Sequence, residues 1–501
     1  MLESSNPFDL VPYEAIGIPY TLPAHLALSS AWYGGPKPKV RAYRAIELGC
    51  GAGGNLIPMA YYQRDSRFVG VDYSKRHIEC ARETATELGL DNIQFELGDV
   101  CDLDKANREP FDYIIAHGLF SWIPEEARAA VLVFCRDHLS PNGIAYICYN
   151  TMPGWAMRGV VRDALRRSPS VQSADLKDQA IKAKQVAINL LNDLPSREHP
   201  FGALLGHELE RIRGCAPYYI QHEYLAADNV PFWFADFVAL ANRYHLDYVA
   251  EALFCRSEGQ MPQSIADALE KHGYPAVYRE EVADLPGNRQ MRTSILCHND
   301  AQRSRVSRRE LLNTVTIATV LRAKSDDVRL ADGVFERFDG EGGIGVELDF
   351  SLSKAAVLIL SAQLPLGLTF DELLKQSEKM LAESHIPLPP DATAKLAEEI
   401  TSLFTFGQLH LRLVEPTKAC PIEQYPVAHM LAQFEARNRK AQSTPHHIML
   451  PNQEGVAELI RLLDGKHSLA DLESMFGKRF AQDMIILFSR WGPLQNRKAP
   501  G

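Results

Sequence analysis

Short apolar runs alternate with segments of helical periodicity through the first 150 residues of the chain. Five of these runs predict strands, at residues 44–48, 67–72, 93–99, 111–118 and 143–150. Apolar residues three and four positions apart predict helices between the strands, at residues 54–63, 74–89 and 124–138. Strands that alternate with helices in this order predict a parallel sheet with helices packed on its faces.

The first predicted strand ends at a glycine-rich turn with the pattern E-x-G-x-G-x-G. Gly49, Gly51 and Gly53 have no side chains that would keep a ligand away from the turn, so we expect a ligand there. Dinucleotide-binding folds instead space their glycines as G-x-G-x-x-G and hold a pyrophosphate at a helix N-terminus. Glu47 precedes the first glycine, and its carboxylate suits a cationic amino-acid group better than a phosphate. Asn55 either lines this pocket or caps the following helix.

Polar residues also end the next strands. Asp72 ends the second strand, where doubly wound folds hold ribose hydroxyls with a carboxylate. Asp99 ends the third strand, and His117 with Gly118 ends the fourth. A histidine at a strand end is either a general base or a hydrogen-bonded wall residue.

The glycine turn and these acids resemble the first motifs of class I S-adenosylmethionine (AdoMet) methyltransferases. The resemblance implies AdoMet as the cofactor, with Asp99 beside the adenine amino group. We assign Glu47 and the glycine turn to the methionine and ribose portions and Asp72 to the ribose diol. His117 and Gly118 then form the pocket floor.

A sheet of this class ends with one more helix, a sixth strand and an antiparallel seventh strand. Those elements appear only later in the chain, as a helix at residues 234–245 and strands at 246–254 and 289–298. The intervening residues, about 155–230, predict a helical insertion that caps the pocket or forms a dimer surface. We therefore predict an α/β class I methyltransferase (Rossmann-like) core at residues 41–300, with a seven-stranded sheet.

The remaining residues predict two smaller α+β modules. Residues 301–415 contain two strand-like pieces within 327–340, two helices separated at Pro365 and Gly367, and a further helix and strand within 394–415. Strands around a compact helix pair resemble a winged-helix module, although such a module need not bind DNA. Residues 416–501 predict a small C-terminal module with helices at 455–464 and 468–476.

Composition and charge exclude several classes of function. Hydrophobic residues make up 46% of the chain and charged residues 23%, as in ordinary globular proteins. A formal charge of -10 argues against nucleic acid as a partner. The nine cysteines include no C-x-x-C pair, so we predict no metal site and no redox dithiol. The first residues, MLESSNPFDL, lack the features of a signal peptide, and no apolar run is long enough for membrane insertion, so we expect a cytoplasmic protein.

On the acceptor side of the pocket we expect aromatic and amide groups. Aromatic rings attract a cationic amine and exclude water. Residues 1–40 either close over the pocket, with Tyr13 or Tyr20 covering the cofactor, or pack on the sheet. The Asn150 carbonyl can orient a neutral amine. The other candidates are Trp122, Tyr149 and Trp155, although tryptophans after strand ends also serve as plain core anchors.

Six segments together resemble a bacterial family that has a class I methyltransferase core followed by a methyltransferase regulatory domain. They are VPYEAIGIPYTLP, ELGCGAGGNLIPMA, FDYIIAHGLFSWIPEEAR, YNTMPGW, HEYLAADNVPFWFADFVALA and RQMRTSILCH, spread over residues 7–300. The resemblance places the regulatory region at about residues 215–300. Members of this family include protein lysine methyltransferases that modify outer-membrane proteins. The resemblance therefore implies lysine N-methylation, with a protein, such as an outer-membrane protein, as partner.

Three functions remain open on these grounds. The first is a protein lysine methyltransferase, whose extra domains are large enough to hold a polypeptide. The second is a methyltransferase that acts on a small molecule or natural product. The third is a nonenzymatic AdoMet-binding regulator whose C-terminal modules bind a partner protein. A homodimer through the helical insertion is a further hypothesis.

Overall fold

The fold is that of a computed structural model, which describes most of the chain. The described residues are 6–14, 16–105, 108–194, 199–253, 263–303, 306–340, 345–414, 420–438, 440–450 and 455–495.

Seven strands form one sheet in the first 300 residues. The strands are β1 Arg44–Leu48, β2 Arg67–Asp72, β3 Ile93–Leu97, β4 Phe111–Ala116, β5 Leu139–Asn150, β6 Leu246–Glu251 and β7 Met291–His298. Their order is β3-β2-β1-β4-β5-β7-β6, and β7 runs antiparallel to both of its neighbours. The strand order reverses between β1 and β4, because β2 and β3 lie on one side of β1 and strands β4 to β7 lie on the other. Open parallel sheets bind ligands at such a point, beyond the carboxyl ends of the strands.

Helices cover both faces of this sheet and extend from it. They are α1 Pro7–Leu10, α2 Pro23–Trp32, α3 Leu56–Tyr62, α4 Lys75–Glu87, α5 Glu125–His138, α6 Trp155–Arg167, α7 Leu176–Asn192, α8 Pro200–Gly214, α9 Pro217–Ile220, α10 Phe234–Arg243, α11 Gln263–Lys271 and α12 Ala276–Ala283. A π-helical turn, Gln221–Leu225, follows α9.

Successive side chains of β5 lie in two separate cores. Tyr146 and Cys148 join the core beneath α3 and α4, whereas Ile147 and Tyr149 join the core beneath α5 and α10. This follows from strand geometry, because successive side chains point to opposite faces of a sheet. The sequence prediction that Tyr149 lies on the acceptor side is therefore wrong. Its ring stacks on Phe237 with centroids 3.9 Å apart.

The helical insertion has a core of its own. Helices α6 to α9 and the π turn pack through small and branched apolar side chains. Within them Arg158 donates a hydrogen bond from Nε to Glu208 at 3.0 Å, and Tyr224 donates to the same carboxylate oxygen. Arg158 and Glu208 are both buried, so each offsets the other's cost of losing water.

The C-terminal region consists of small sheets and helices. Its helices are α13 Arg308–Leu312, α14 Ser351–Gln363, α15 Phe370–Glu383, α16 Ala392–Thr405, α17 Met430–Arg437, α18 Val456–Leu462, α19 Leu469–Phe476 and α20 Lys478–Trp491. Its strands are β8 Thr316–Thr319, β9 Arg322–Ala323, β10 Glu336–Asp339, β11 Gly345–Leu348, β12 Leu368–Thr369, β13 Leu409–Arg412, β14 Val427–Ala428, β15 Gln442–Ser443, β16 Met449–Leu450 and β17 Leu494–Gln495. The division at residue 415 and the winged-helix-like topology stay predictions.

Both C-terminal parts pack against the methyltransferase core. Helix α2 places Leu26 in the core of the large sheet and Trp32 in the core that contains α14 to α16. Leu431 and Phe434 of α17 pack into the core beside α3. The C-terminal elements therefore share cores with the cofactor-binding half of the molecule.

Some predicted boundaries are wrong. Strand β5 begins at Leu139 instead of residue 143, β6 ends at Glu251, and β7 begins at Met291. Of the two strand-like pieces predicted within residues 327–340, one forms a strand, β10. Helices α11 and α12, between β6 and β7, were missed. Among the described residues, no helix combines the length and hydropathy needed to cross a bilayer.

Candidate functional site

The glycine turn after β1 has the backbone conformation that only glycine adopts at low cost. Gly49, Gly51 and Gly53 have φ angles of +74°, +53° and +75°. The Gly49 amide donates a hydrogen bond to the Val71 carbonyl at 2.8 Å, which fixes the turn against β2. A Cβ atom at Gly53 would lie 2.7 Å from the Phe95 ring, whereas one at Gly51 would meet no described atom within 4 Å. The turn therefore leaves open space for a ligand above Gly51.

Asp72 lies beside this turn at the end of β2. Its Oδ2 accepts a hydrogen bond from the Gly51 amide at 2.9 Å, and its Oδ1 accepts one from the Ser74 amide at 2.8 Å. Each carboxylate oxygen has two lone pairs, so Asp72 can accept further hydrogen bonds from ligand hydroxyls. The structure thus brings Asp72 and the glycine turn together, as the sequence predicted.

Asp99 follows β3 and is exposed. Its Oδ1 accepts a hydrogen bond from the Cys101 amide at 2.9 Å. Burial raises the pKa of Tyr73 to about 12, with smaller contributions from the charges of Asp72, Asp9 and Asp99. Tyr73 therefore lies near both predicted acids, and its phenol stays neutral at physiological pH. Tyr73 was not among the site residues predicted from the sequence.

Glu47 has an incomplete set of partners. Asn55 donates a hydrogen bond from Nδ2 to its Oε1 at 2.8 Å, whereas its Oε2 is buried without a hydrogen-bond partner in the described structure. The pKa of Glu47 is raised to about 8. Burial is the main cause, and the charge of Asp72 adds to it, whereas the hydrogen bond from Asn55 lowers the pKa. A cation placed beside Oε2 would favour the ionised carboxylate.

Asn55 connects three distant parts of the chain at this point. Its Oδ1 accepts hydrogen bonds from the Ile18 amide at 3.0 Å, from Thr21 Oγ at 3.1 Å and from His447 Nε2 at 2.7 Å. Asn55 occupies the N-cap position of helix α3, but its side chain makes no capping hydrogen bond there. The residue instead fixes the wall behind Glu47.

His117 lies at the end of β4 among aromatic rings. Its Nδ1 lies 2.9 Å from the Tyr146 hydroxyl, and the two rings are stacked. The Tyr20 ring packs edge-on against His117 with centroids 5.9 Å apart. Burial lowers the pKa of His117 to about 4, so the imidazole is neutral at pH 7. The neighbouring Gly118 has a φ of +64° and open space where a Cβ would stand.

The N-terminal segment passes over the ends of the strands. Asp9 accepts a hydrogen bond at 2.5 Å from Oγ of Ser74, which lies two residues after Asp72. Phe8 stacks on His222 of the π turn with centroids 4.2 Å apart, and His222 Nε2 donates to the Val11 carbonyl at 2.6 Å. The segment thus joins helix α4 to the insertion across the cleft, which favours the pocket-covering interpretation.

The acceptor-side candidates lie on different walls. The Tyr13 ring contacts those of Tyr218, at 5.2 Å, and His222. Asn150 is 8% exposed and donates from Nδ2 to Asn229 at 2.8 Å. Trp122 packs edge-on against Trp155, 5.6 Å away. Because Trp155 is almost fully buried, it serves as a packing anchor for Trp122.

Glu223, in the π turn, is a further candidate that was not predicted from the sequence. It is half-buried, and its carboxylate has no hydrogen bond or ion pair among the described residues. Burial is the largest cause of the raised pKa values of Tyr13 and Tyr219, and the charge of Glu223 is the second largest. Its charge also acts on Cys148, whose thiol contacts the backbone of Gly118. The charge of Glu223 therefore lies within electrostatic range of Tyr13, Tyr219 and Cys148.

Burial raises the pKa of Glu223 to about 7, while Arg158 and Arg162 lower it. The carboxyl is thus partly ionised at neutral pH. Single π turns inside helices occur frequently at functional sites. The sequence signal for this residue was an acid within HEYLAADN, a segment that carries the family resemblance.

The residues present fit AdoMet. Its ammonium group matches the unpartnered Glu47 oxygen, its ribose hydroxyls match the remaining lone pairs of Asp72, and the open space at Gly51 admits the ligand. Among the described residues no cluster of three or more His, Cys, Asp or Glu is placed to hold a metal ion.

Two protein-family models match consecutive parts of the chain. Residues 39–206 match the model described as "Methyltransferase domain". Residues 216–298 match the model described as "Predicted methyltransferase regulatory domain". The second match lies within the region predicted at about residues 215–300 and contains the π turn.

Two proteins of Rickettsia prowazekii, both described as uncharacterized, are similar in sequence. One is 36% identical over 301 residues, which cover 60% of this chain and 54% of that protein. The other is 30% identical over 246 residues, which cover 48% of this chain and 97% of that protein. The chain thus matches about half the length of the first relative and nearly the whole of the second.

A solved structure has the same fold over almost the whole chain. It is the structure of PKMT2 from Rickettsia typhi in complex with AdoHcy, with a TM-score of 0.85 and 23% sequence identity. The superposition covers 96% of this chain and 100% of that one. It confirms the predicted class I methyltransferase fold together with its smaller C-terminal sheets and helices.

Proposed function

The chain belongs to the class I AdoMet-dependent methyltransferases with a methyltransferase regulatory domain, and we propose that it methylates the side-chain amine of lysine in a protein substrate. The observation that carries this proposal is the unpartnered carboxylate of Glu223 near Tyr13 and Tyr219. A half-buried carboxylate next to aromatic rings suits a cationic amine. It suits a neutral hydroxyl or a carboxylate acceptor less well.

The cofactor-binding residues supply binding and orientation. When bound, AdoMet supplies a methyl group that is already activated by a positively charged sulfur. We propose that Glu47 binds its ammonium group, Asp72 its ribose hydroxyls, and Asp99 its adenine amino group. Orientation of two reacting groups can contribute about 7 to 11 kcal/mol to a reaction of this kind.

A lysine acceptor has an additional requirement. Its ammonium has a reference pKa of about 10.4 and must lose a proton before its nitrogen can attack. We propose that ionised Glu223 binds the ammonium and accepts this proton, so that a neutral amine and a neutral carboxyl result. A pKa of about 7 suits that task, because the carboxyl can both accept a proton and release it at neutral pH.

Other residues of the pocket have supporting roles in this proposal. The amide oxygen of Asn150 has no hydrogen-bond partner among the described residues and can orient the neutral amine. Tyr13 and Trp122 exclude water from the acceptor side. His117, whose imidazole is neutral at pH 7, remains an alternative proton acceptor that shares its Nδ1 with Tyr146.

The substrate and assembly state are part of the proposal. The resemblance of the sequence to lysine methyltransferases of outer-membrane proteins supports a polypeptide substrate of that kind.

The helical insertion exposes apolar side chains at Val160, Ile181, Phe201 and Leu204, which supports a homodimer through this surface. Light scattering at micromolar protein would give the mass of a dimer, and a monomeric mass would contradict it.

Transfer of label from radioactive AdoMet tests the function. We expect that incubation of the chain with a bacterial lysate labels protein bands and that acid hydrolysis of these bands releases methylated lysine. Label confined to small molecules would contradict a protein substrate. Binding of AdoMet without any transfer would contradict an enzyme.

A further inference from the structure

Residues 226–232 follow the π turn and lie along the end of strand β5. The Val230 amide donates a hydrogen bond to the Ser121 carbonyl at 2.8 Å, and the Phe232 amide donates to the Asn150 carbonyl at 2.9 Å. The backbone amide of Asn150 in turn donates to Ser121 Oγ at 2.9 Å. These bonds hold the backbone of Asn150 and the segment after the π turn together.

Arg162 of helix α6 holds the same segment from the insertion. The residue is buried, and its Nη2 donates hydrogen bonds to the backbone carbonyls of Ala226, Ala227 and Asp228. The residue that follows these three is Asn229. Because its backbone is held on both sides, the position of the Asn229 side chain is fixed relative to β5.

The side chains of Asn150 and Asn229 meet at this point. Asn150 donates a hydrogen bond from Nδ2 to Oδ1 of Asn229 at 2.8 Å. In the described structure Oδ1 of Asn150 has no hydrogen-bond partner, and it is not among the fully buried atoms that lack one, so it is open to a ligand. A side-chain amide has an oxygen that accepts and a nitrogen that donates, so the bond to Asn229 determines which of the two remains free.

The free end of the amide matters for an amine acceptor. A neutral amine has one lone pair, and that lone pair must stay free if its nitrogen is to attack a methyl group. An amide oxygen that faces the amine accepts one of its N–H groups and leaves the lone pair free. An amide nitrogen in the same place would donate to the lone pair and occupy it.

We propose that Asn229 is a positioning residue that keeps Oδ1 of Asn150 directed toward the acceptor amine. This inference rests on the proposed methylation of lysine and assigns part of it to a second region of the chain. Asn150 lies within the match to the methyltransferase domain, whereas Asn229 lies within the match to the predicted methyltransferase regulatory domain. The second region thereby contributes to the orientation of the acceptor.

Rates of methyl transfer to an outer-membrane protein fraction of a bacterial lysate test the proposal, with this fraction and AdoMet both at saturating concentrations. Asn229→Ala should lower the rate about fivefold, the size expected for the loss of one neutral hydrogen bond, with AdoMet affinity unchanged. Asn229→Asp should restore a rate close to that of the wild type, because a carboxylate accepts the bond from Nδ2 in the same way. Asn242→Ala, an exposed change on α10, is the matched control and should match the wild type.

A double-mutant cycle shows whether Asn229 acts through Asn150. The variant that carries both Asn150→Ala and Asn229→Ala should be as slow as Asn150→Ala alone, since the second change then removes nothing further. Losses that multiply in the double variant would overturn the proposal. A wild-type rate in Asn229→Ala, or a rate in Asn229→Asp as low as that in Asn229→Ala, would overturn it as well.

Hydrogen exchange of the Asn150 side-chain amide separates this inference from the proposed function. Nuclear magnetic resonance of protein labelled with ¹⁵N-asparagine detects these protons, and Asn150→Asp identifies their signals by removing them. We expect severalfold faster exchange in Asn229→Ala than in the wild type and Asn229→Asp. Equal exchange in all three would overturn the positioning role. A wild type with a protected amide that adds no methyl groups to lysine would instead contradict the proposed function.

Discussion

His447 donates a hydrogen bond from Nε2 to Oδ1 of Asn55 at 2.7 Å, although 392 positions separate the two residues. His447 is 1% exposed and has a φ of +58°, an uncommon conformation for a residue other than glycine. Asn55 in turn donates to Glu47. The C-terminal part of the chain therefore completes the wall behind the glycine turn and takes part in shaping the cofactor cleft.

Replacement of His447 by alanine should weaken AdoMet binding. The loss of one buried hydrogen bond amounts to about 1 kcal/mol, so we expect about a fivefold higher dissociation constant in isothermal titration. The His467→Ala variant is the control, since His467 lies in the same C-terminal part but bonds to Asp464 at the surface. If His447→Ala bound AdoMet as tightly as the wild type, the wall would not depend on this contact.

The Asp72→Asn substitution tests the predicted ribose site. Asparagine keeps the shape of the side chain but loses the charge, so the hydrogen bonds to ligand hydroxyls and to the Gly51 amide weaken. Hydrogen bonds to charged groups contribute about 1.5 to 3 kcal/mol, and we expect at least about a tenfold loss of AdoMet affinity. Asp91→Asn is the matched control, because Asp91 lies before β3 at the opposite edge of the sheet. Similar affinities for the two variants would refute the assignment.

The carboxyl of Glu47, whose Oε2 is buried without a partner, should make the ligand-free protein less stable at alkaline pH. Its pKa is raised from 4.5 to about 8, so its contribution to stability is present below pH 4.5 and is lost as the pH rises to 8. Glutamine does not ionise and keeps the bond from Asn55. We therefore expect the difference in melting temperature, Glu47→Gln minus wild type, to increase between about pH 5 and pH 8.

Thermal melts across this range, without AdoMet, measure that difference. A value independent of pH would contradict the raised pKa of Glu47. The same substitution should weaken AdoMet binding, because the ammonium of the cofactor loses its charged partner. Greater stability together with weaker binding would identify Glu47 as a residue kept for function at a cost in stability.

The contact between the N-terminal segment and the π turn should control access to the cleft. Replacement of His222 by alanine removes its stacking on Phe8 and its hydrogen bond to the Val11 carbonyl. We expect faster proteolysis within the first 22 residues, measured by mass spectrometry of the fragments. His207→Ala, an exposed change on α8, should leave the rate unchanged. Equal rates in both variants would show that the segment is held by other contacts.

The sheet and the cofactor side were predictable because local patterns determine them. Strand β2 was predicted at its observed bounds, since its apolar run ends at Asp72, and the glycine turn indicated a close approach of ligand to backbone. The C-terminal helices α14 and α15 were likewise separated at Pro365 and Gly367. Such signals lie within a few residues of one another in the sequence.

The contacts that complete the site were not predictable, because they join distant segments. Nothing local indicates that His447 reaches Asn55, or that Glu223 lies near Tyr13 across more than 200 residues. Tyr149 was misplaced for a different reason. The pattern of β5 is apolar on both faces, so the sequence does not show which face of the sheet each of its residues occupies.

Mass spectrometry of lysine methylation by the wild type and by Glu223→Gln tests the central claim most directly. The account predicts that the wild type adds methyl groups to lysine side chains of a protein substrate in the presence of AdoMet. Glu223→Gln should lower the rate at least about tenfold with AdoMet binding unchanged, and Asp228→Asn, in the same segment, should match the wild type. Methyl groups found on atoms other than the lysine amine, or an equal rate in Glu223→Gln, would contradict the account.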